Sequence, residues 1–372
     1  MIDPSPRRRI ALAHDWLVGL RGGERVLDRL ARLFGPTDLY ALVDDGRRLT
    51  DAIAACRVVT SPLQRFPGAA GRLRRHYLPL MPWAVGRIRV APCDLLISTS
   101  SAVMKSIRPP PGTPHLCYCH SPARYIWEQS ADYALGSGGR LRRLGLSLFS
   151  ERFKRWDRET ASRVTKFLAN SAHTAARIER CFGRRADVVY PPVRTAFFTP
   201  DETVPREEWF LVVSALEPYK RTDIVIEAAN RASLPLKVVG DGSQVHALRD
   251  LAGPTVEMVG RLEEEALRDV YRKARALIFP QVEDFGLIPV EAQACGCPVI
   301  ALAAGGALET VADRTGIFFD VQTAEAIIES VRALDDATIA AAACRANAER
   351  FSEQAFDEAI LREVAGIFVT DS

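Results

Sequence analysis

Glu283-Asp284-Phe285-Gly286-Leu287-Ile288-Pro289-Val290-Glu291, running on through Ala292-Gln293-Ala294-Cys295-Gly296-Cys297-Pro298-Val299-Ile300, is the stretch whose reading decides the fold. It begins where an apolar strand, Ala276 to Pro280, runs out, and it ends where another, Pro298 to Leu302, begins. A strand, a loop with a carboxylate and a glycine, a helix and a second strand make one βαβ unit of a parallel sheet. Ligands of such sheets bind outside the carboxyl ends of the strands. Glu283 is therefore expected at the mouth of the sheet, and Gly286 at the start of a helix whose free N–H groups can meet an anion or a hydroxyl. Glu291 falls about two turns further on and on the same side of the helix. At a separation of about a dozen ångströms the two carboxylates are poorly placed to share a metal ion and well placed to hold both ends of one elongated polar ligand. Taken alone, Glu283 also reads as a plain helix-terminus partner worth about 1 kcal/mol.

Working outward, the carboxyl-terminal half repeats the same alternation. Strands are expected at Trp209–Ser214, Leu236–Val239, Val256–Val259 and Gly316–Asp320, and helices at Thr222–Ala232, Gln244–Ala252, Glu263–Ala274, Thr323–Leu334 and Asp336–Arg350. A last helix, about Ser352 to Phe368, has its own cap at Ser352. Tyr190-Pro191-Pro192-Val193 through Pro205 is proline-rich and without periodicity, so it reads as a linker. Ahead of it, strands are expected at Arg9–Trp16, Asp38–Val43, Arg57–Thr60, Asp94–Ser98, Pro114–Cys119, Val164–Ala169 and Val188–Tyr190. Gly22-Gly23 stands between the first strand and a helical run, Glu24 to Phe34, where glycines let the backbone approach a phosphate or simply make a turn. No G-x-G-x-x-G occurs there, which argues against a dinucleotide oxidoreductase. Asn170 is available to cap the helix that follows the sixth strand. Strands alternating with helices on both sides of a linker predict an α/β chain of two parallel-sheet domains.

The length of 372 residues agrees with two domains. With 48% hydrophobic and 26% charged residues the composition is that of a globular protein. No apolar run reaches a membrane span, and Met1 to Arg9 lacks the apolar core of a signal peptide, so a cytoplasmic location is expected, with peripheral attachment to the inner face of the cytoplasmic membrane as an option. Eight cysteines show neither disulfide nor zinc spacing. On a strand, Cys117 and Cys119 face one side and His120 the other, which argues against a metal there. Residues 1–190 hold 32 Lys and Arg against 16 Asp and Glu, a net +16, whereas residues 191–372 hold 17 against 30, a net −13. So large a split points to an anionic surface meeting the first half. The basic segments are Arg65 to Arg89, interleaved with Phe66, Tyr77 and Trp83, and Arg140 to Arg158. They read either as solvated faces or as seats on an anionic membrane. Nothing points to nucleic acid.

The opening stretch, with both glutamates, the Phe-Gly between them and the following A-x-G-x-P-V-I, resembles the acidic signature of family 4 retaining glycosyltransferases. The resemblance implies the GT-B fold, two Rossmann-like domains with parallel sheets facing a central cleft. Residues 1–192 would be the acceptor-binding domain and 193–350 the nucleotide-sugar donor domain, with 351–372 a helix crossing back to the first. It implies that Glu283 and the backbone at Phe285, Gly286 and Leu287 hold the donor sugar and that Glu291 holds the ribose. Gly22 and Gly23 match the loop bordering the donor phosphates, His120 a histidine near the donor sugar, and Gly260 and Leu262 the backbone that receives the base. Lys220, in Glu217-Pro218-Tyr219-Lys220-Arg221, matches a pyrophosphate-binding lysine, although the residues alone read equally as a solvated turn. Family members often place an Arg in a serine-arginine pair upstream. Here the pair is Ser214-Ala215, so either Arg221 or a first-domain Arg such as Arg124 substitutes, or leaving-group stabilisation is weaker. No Asp-x-Asp is present, so a metal-independent reaction with a nucleotide-sugar co-substrate is implied.

Ala13-His14-Asp15-Trp16-Leu17, Arg21-Gly22-Gly23-Glu24 and Cys119-His120-Ser121-Pro122-Ala123-Arg124-Tyr125-Ile126-Trp127 look like the bacterial surface-polysaccharide mannosyltransferases. That implies mannose from GDP-mannose and a lipid-linked or oligosaccharide acceptor, with Glu283, His120 and Lys220 in the catalytic roles. The rival reading is a nucleotide-sugar epimerase or hydrolase of the same fold, for which Asp15 is the obvious water-activating carboxylate. A retaining reaction needs no protein base; an inverting one would draw it from His14, Asp15 or His120.

Overall fold

The structure, a computed structural model, describes residues 8–127 and 140–369; the side chains of Arg72, Arg75, Tyr125 and residues 140–148 lie outside the description. The chain divides into two compact units, one of residues 1–190 with 357–372, the other of residues 191–356.

The first unit is built on seven parallel strands: β1 (Ile10–Leu17), β2 (Asp38–Asp44), β3 (Arg57–Thr60), β4 (Leu95–Ser100), β5 (His115–Cys119), β6 (Lys166–Ala169) and β7 (Ala186–Val188). Their order across the sheet is β3-β2-β1-β4-β5-β6-β7. The seventh strand thus ends at Val188, where the sequence pattern expected it to begin. Leu12, Leu39, Ile97 and Leu116 are buried strand interiors, so both faces of this sheet are covered and the strands read as near-continuous apolar runs. Ala13, Ser98, Cys117 and Phe167 are register partners across β1, β4, β5 and β6 and so share a face. Two apolar clusters lie on that face, one including Ala13, Tyr40, Met81 and Phe153, the other Cys117, Phe167 and Phe182.

A polar network runs along the same face. Lys105 and Asp157 form an ion pair at 2.6 Å with side chains 2% and 0% exposed. Trp127 Nε1 donates to Asp157 at 2.9 Å, and Ser98 Oγ meets His115 Nε2 at 2.8 Å. Asp157 sits in the helix Arg140–Ala161, so this pair pins the helix to the turn Met104–Ser106 that follows β4. Burial pushes the His115 imidazole down to about 3, with the Lys105 charge adding to it, so His115 is neutral in the folded chain.

The second unit has six parallel strands: β8 (Phe210–Val213), β9 (Leu236–Val239), β10 (Val256–Gly260), β11 (Leu277–Phe279), β12 (Val299–Leu302) and β13 (Gly316–Phe319). Their order is β10-β9-β8-β11-β12-β13. Helices Thr222–Ala232 and Ala324–Asp336 bury Ile224, Val225, Ile327 and Val331 against Val212, Ile278 and Ile300. The last helix, Glu353–Val369, starts beside Ser352, whose Oγ accepts from Ala355 N at 3.2 Å. In both sheets the first strand lies between the second and the fourth. The order therefore reverses beside β1 and β4, and again beside β8 and β11, and ligands of doubly wound sheets bind at such switch points.

Candidate active site

The carboxyl ends of β8 and β11 bring together two residues 63 positions apart. After β8 the chain makes a 3₁₀ turn, Pro218–Lys220, before the helix Thr222–Ala232. After β11 it runs through Gln281 and Val282 to Glu283. Lys220 Nζ is ion-paired with Glu283 Oε1, and the Lys220 residue is only 9% exposed. The lysine and the carboxylate singled out in the sequence are thus one unit, a cation and an anion side by side at the switch point.

The Glu283 loop is held by Gly305-Gly306, the glycine pair after β12. Gly306 N donates to the Glu283 carbonyl at 2.8 Å, and a Cβ on Gly306 would lie 2.3 Å from the Phe285 carbonyl oxygen. Only glycine fits there. Gly286, at φ 89°, caps the helix Leu287–Ala294 without a side-chain hydrogen bond, leaving the first-turn amides open to a ligand. Phe285 is turned away from this mouth: it is buried, with its ring 5.4 Å from that of Phe351, so its side chain belongs to the core and only its backbone borders the loop. Glu291 is buried, and the Tyr271 hydroxyl donates to its Oε2 at 3.3 Å. Burial, with the Glu291 charge, holds the Tyr271 hydroxyl well above its ordinary range, so it remains a donor.

Arg221 adopts the left-handed conformation at φ 52°, and its guanidinium donates to Asp223 on the first turn of its own helix, Nε to Oδ1 at 3.2 Å. Gly260, at φ 81°, closes β10 and its carbonyl accepts from Gly240 N at 2.8 Å; Leu262, two residues on, is half-buried. Two polar side chains unremarked in the sequence are buried in this region. The Gln281 amide nitrogen and oxygen and the Thr222 hydroxyl have no hydrogen-bond partner among the described residues.

At the mouth of the first sheet the protein itself meets Asp15 and His14. Both Asp15 oxygens are filled: Oδ2 accepts from the amides of Ser101 (2.6 Å) and Ala102 (2.9 Å), Oδ1 from those of Val103 (3.0 Å) and Met104 (2.8 Å). The Ser100 and Ser101 hydroxyls add two longer contacts. A carboxylate offers about four acceptor sites, so Asp15 has none left to activate water. It fastens the loop after β4, and the water-activating role it was a candidate for has no free acceptor behind it. His14 Nδ1 meets Thr99 Oγ1 at 2.6 Å, and its Nε2 lies 3.8 Å from Glu24 Oε1.

Glu24, to which the sequence reading gave no role of its own, also accepts from the Arg21 amide at 3.0 Å. Burial by itself raises the Glu24 carboxyl, but the His14 imidazole and the backbone amides outweigh it and bring it below its usual value. Gly22 and Gly23 form the first turn of the helix Gly22–Phe34, not a loop ahead of it. A Cβ on Gly23 would stand 3.4 Å from both His14 and His120, so the glycine backs directly onto the two imidazoles. His120 immediately follows β5, edge-on to Tyr118, and its carbonyl accepts from Asn170 Nδ2 at 3.0 Å. Asn170 is therefore no cap; Ser171 caps the following helix, accepting from Thr174 N at 2.9 Å. Arg124, half-buried, opens the short helix Arg124–Trp127 on the same strand exit.

Two family descriptions match this chain: Glycosyl transferases group 1 over residues 194–351 and Glycosyltransferase Family 4 over residues 20–197. Among curated relatives, a D-inositol 3-phosphate glycosyltransferase of Mycobacteroides abscessus is 33% identical over 189 residues, 45% of this chain and 43% of its own. A GDP-mannose-dependent monoacylated alpha-(1-6)-phosphatidylinositol monomannoside mannosyltransferase of Corynebacterium glutamicum is 35% identical over 140 residues, 33% of this chain and 37% of its own. The chain thus spans less than half the length of these relatives. Among solved structures, sucrose-phosphate synthase from Thermosynechococcus elongatus superposes with a TM-score of 0.73 at 17% identity, covering 98% of this chain and all of that one. HepE of Anabaena in complex with UDP superposes with a TM-score of 0.71 at 17% identity, covering 96% and 100%. Taken together, the two matches run without a break from residue 20 to residue 351, and the chain belongs to the family 4 glycosyltransferases, of GT-B fold.

Proposed function

We propose that this protein transfers a sugar, with retention of anomeric configuration and without a metal ion, from a nucleoside diphosphate sugar to a hydroxyl of a lipid-linked or oligosaccharide acceptor in surface-polysaccharide synthesis. The observation that carries the proposal is the Lys220–Glu283 pair at the head of the uncapped helix Leu287–Ala294. A diphosphate needs a cation and a sugar hydroxyl needs an acceptor, and the pair offers both. In the reaction, the bond from the anomeric carbon to the leaving phosphate oxygen breaks and the acceptor oxygen bonds to that carbon from the same side. The acceptor proton passes to the departing phosphate oxygen. Lys220 stabilises the charge growing on that phosphate, the kind of preorganised stabilisation that usually dominates catalysis. Glu283 and the amides at Gly286 and Leu287 orient the sugar, Glu291 takes the ribose, and the backbone at Gly260 and Leu262 meets the base. His120 positions the sugar.

Mannose from GDP-mannose is the preferred donor. The name of the Corynebacterium relative supports it, whereas the Anabaena neighbour was solved with UDP and UDP-glucose. Thermal protection by a panel of nucleotide sugars, followed by proton NMR of the first-formed glycoside, tests the proposal. An α-linked product from an α-linked donor is expected. A β-linkage overturns retention and moves the base to His14 or His120. Protection with donor consumption but no acceptor product would instead favour the epimerase or hydrolase.

A further inference from the structure

One segment of the first unit carries charge of a single sign. Between Ser61 and Pro92 the sequence holds six arginines and neither Asp nor Glu. Residues 72–80 form a nine-residue 3₁₀ run, long for a helix of that type, continued by the short helix Met81–Gly86. With three residues per turn, side chains three apart stack in rows. Leu73, His76 and Pro79 make one such row, and all three are exposed. Leu80 and Trp83 continue the apolar surface, and Leu73, Leu80 and Trp83 are 45%, 38% and 43% exposed.

The segment is not a loose loop. Phe66, Tyr77 and Leu78 pack against the core cluster containing Met81, Ala84 and Val85. The Phe66 and Tyr77 rings stand edge-on at 5.5 Å, and the Tyr77 hydroxyl donates to the Pro67 carbonyl at 2.8 Å. The outward apolar side chains are therefore held outward by a fixed scaffold. Around them Arg65, Arg87 and Arg89 are exposed. Arg74 stacks its guanidinium 4.7 Å over the Trp16 ring, which ties the segment to the exit of β1, two residues from His14.

We propose that this surface seats the first unit on an anionic lipid bilayer. Trp83, Leu73 and Leu80 enter the interfacial layer, and Arg65, Arg87 and Arg89 meet lipid phosphates. The charge pattern selects this occupant: exposed apolar side chains in a segment, residues 61–92, that carries arginines and no acidic residue match a sheet of phosphates over hydrocarbon. Tryptophan and arginine also suit that boundary, one end apolar and the other wet. The seat brings the mouth of β1 to the bilayer, which specifies a membrane-anchored acceptor; this consequence rests on the transferase function proposed above, whereas the seat itself does not.

The test is co-sedimentation of the full chain with vesicles of phosphatidylglycerol and phosphatidylcholine, against phosphatidylcholine alone. Binding to the anionic vesicles that weakens with added salt is expected. Trp83→Ser combined with Leu80→Ser, and separately Arg87→Glu combined with Arg89→Glu, should each lower the partition at least tenfold. Circular dichroism and thermal unfolding should be unchanged in both variants, which shows that they are folded, and calorimetric titration with nucleoside diphosphate should be unchanged as well. Failure of the wild type to bind anionic vesicles at low salt overturns the proposal. So does equal binding to neutral vesicles, partition unchanged in both variants, or self-association abolished by the Trp83 variant without vesicle binding. If the wild type binds vesicles but no nucleoside diphosphate, the transferase reading falls and the membrane seat stands.

Discussion

The two sheet mouths have the same topology and opposite economies of polar groups. At β1 and β4, Asp15 is filled by four backbone amides and His14 is flanked by Thr99 and Glu24. At β8 and β11, Gln281 and the Thr222 hydroxyl are buried without a hydrogen-bond partner among the described residues, and Lys220 and Glu283 have only charges to offer a ligand. A buried polar group is expected to find a partner. A carboxylate satisfied internally, as Asp15 is, is thus scaffold, and a buried group that is not is shaped for something that arrives.

The sharpest way to break the contrast is Asp15→Ala. Several buried amides would lose their acceptor at about 1–3 kcal/mol each, so a stability loss of about 3–5 kcal/mol is expected in urea unfolding. Turnover per folded molecule should hold at permissive temperature. A stable but inactive variant would return Asp15 to the chemistry. Glu283→Ala should behave in the opposite way. Turnover should fall on the order of 100-fold, about 3 kcal/mol in transition-state stabilisation, with a loss of stability smaller than that of Asp15→Ala, arising from the largely buried Lys220 charge it leaves behind. Glu291→Ala should weaken nucleoside diphosphate binding instead, and calorimetry that found equal losses of affinity in the two variants would contradict the division of labour between them.

A smaller effect separates the units by pH. His115 is depressed to about 3 in the folded chain against an ordinary 6.5, so between those values the unfolded chain binds the extra proton. Stability therefore falls as pH drops through that window, by up to about 1.4 kcal/mol per pH unit. His115→Gln should flatten that slope in acid unfolding curves. The lowered Glu24 carboxyl contributes stability that is fully present above its unfolded value and is lost as pH falls through its folded one, so some acid sensitivity should survive in the variant. An unchanged slope would show that His115 is protonated in the folded state. The smallest effect is expected from Gln281→Leu. Removing a partnerless buried amide should leave stability unchanged or raise it by about 1 kcal/mol, while donor binding weakens. A loss of stability on thermal unfolding would mean that Gln281 already has a structural partner and that the two mouths differ less.

The strands of both units were legible in the sequence because each is a short apolar run bounded by turn residues, and a parallel sheet covered on both faces needs nothing subtler. The Glu283-to-Glu291 stretch was legible for a related reason: strand, glycine, helix and strand are contiguous, so local periodicity alone places the carboxylate at a sheet mouth. Boundaries slipped where side chains other than the expected one did the capping, as when Ser171 rather than Asn170 closed its helix.

What the sequence could not decide was which groups are spent. Asp15 and Glu283 look alike as single carboxylates at strand exits. Only the folded chain brings the amides of residues 101–104 onto Asp15 and Lys220 onto Glu283, across 86 to 89 and 63 positions of chain respectively. Phe285 likewise reads as part of a binding motif until packing against Phe351 turns it into core. The sequence determined the elements, their order and the residue types available at each strand end, since these follow from periods of two and 3.6 and from turn chemistry. The tertiary structure alone decided which of those residues remain available to a ligand, because hydrogen-bond satisfaction is set by groups that meet only when distant strands pair.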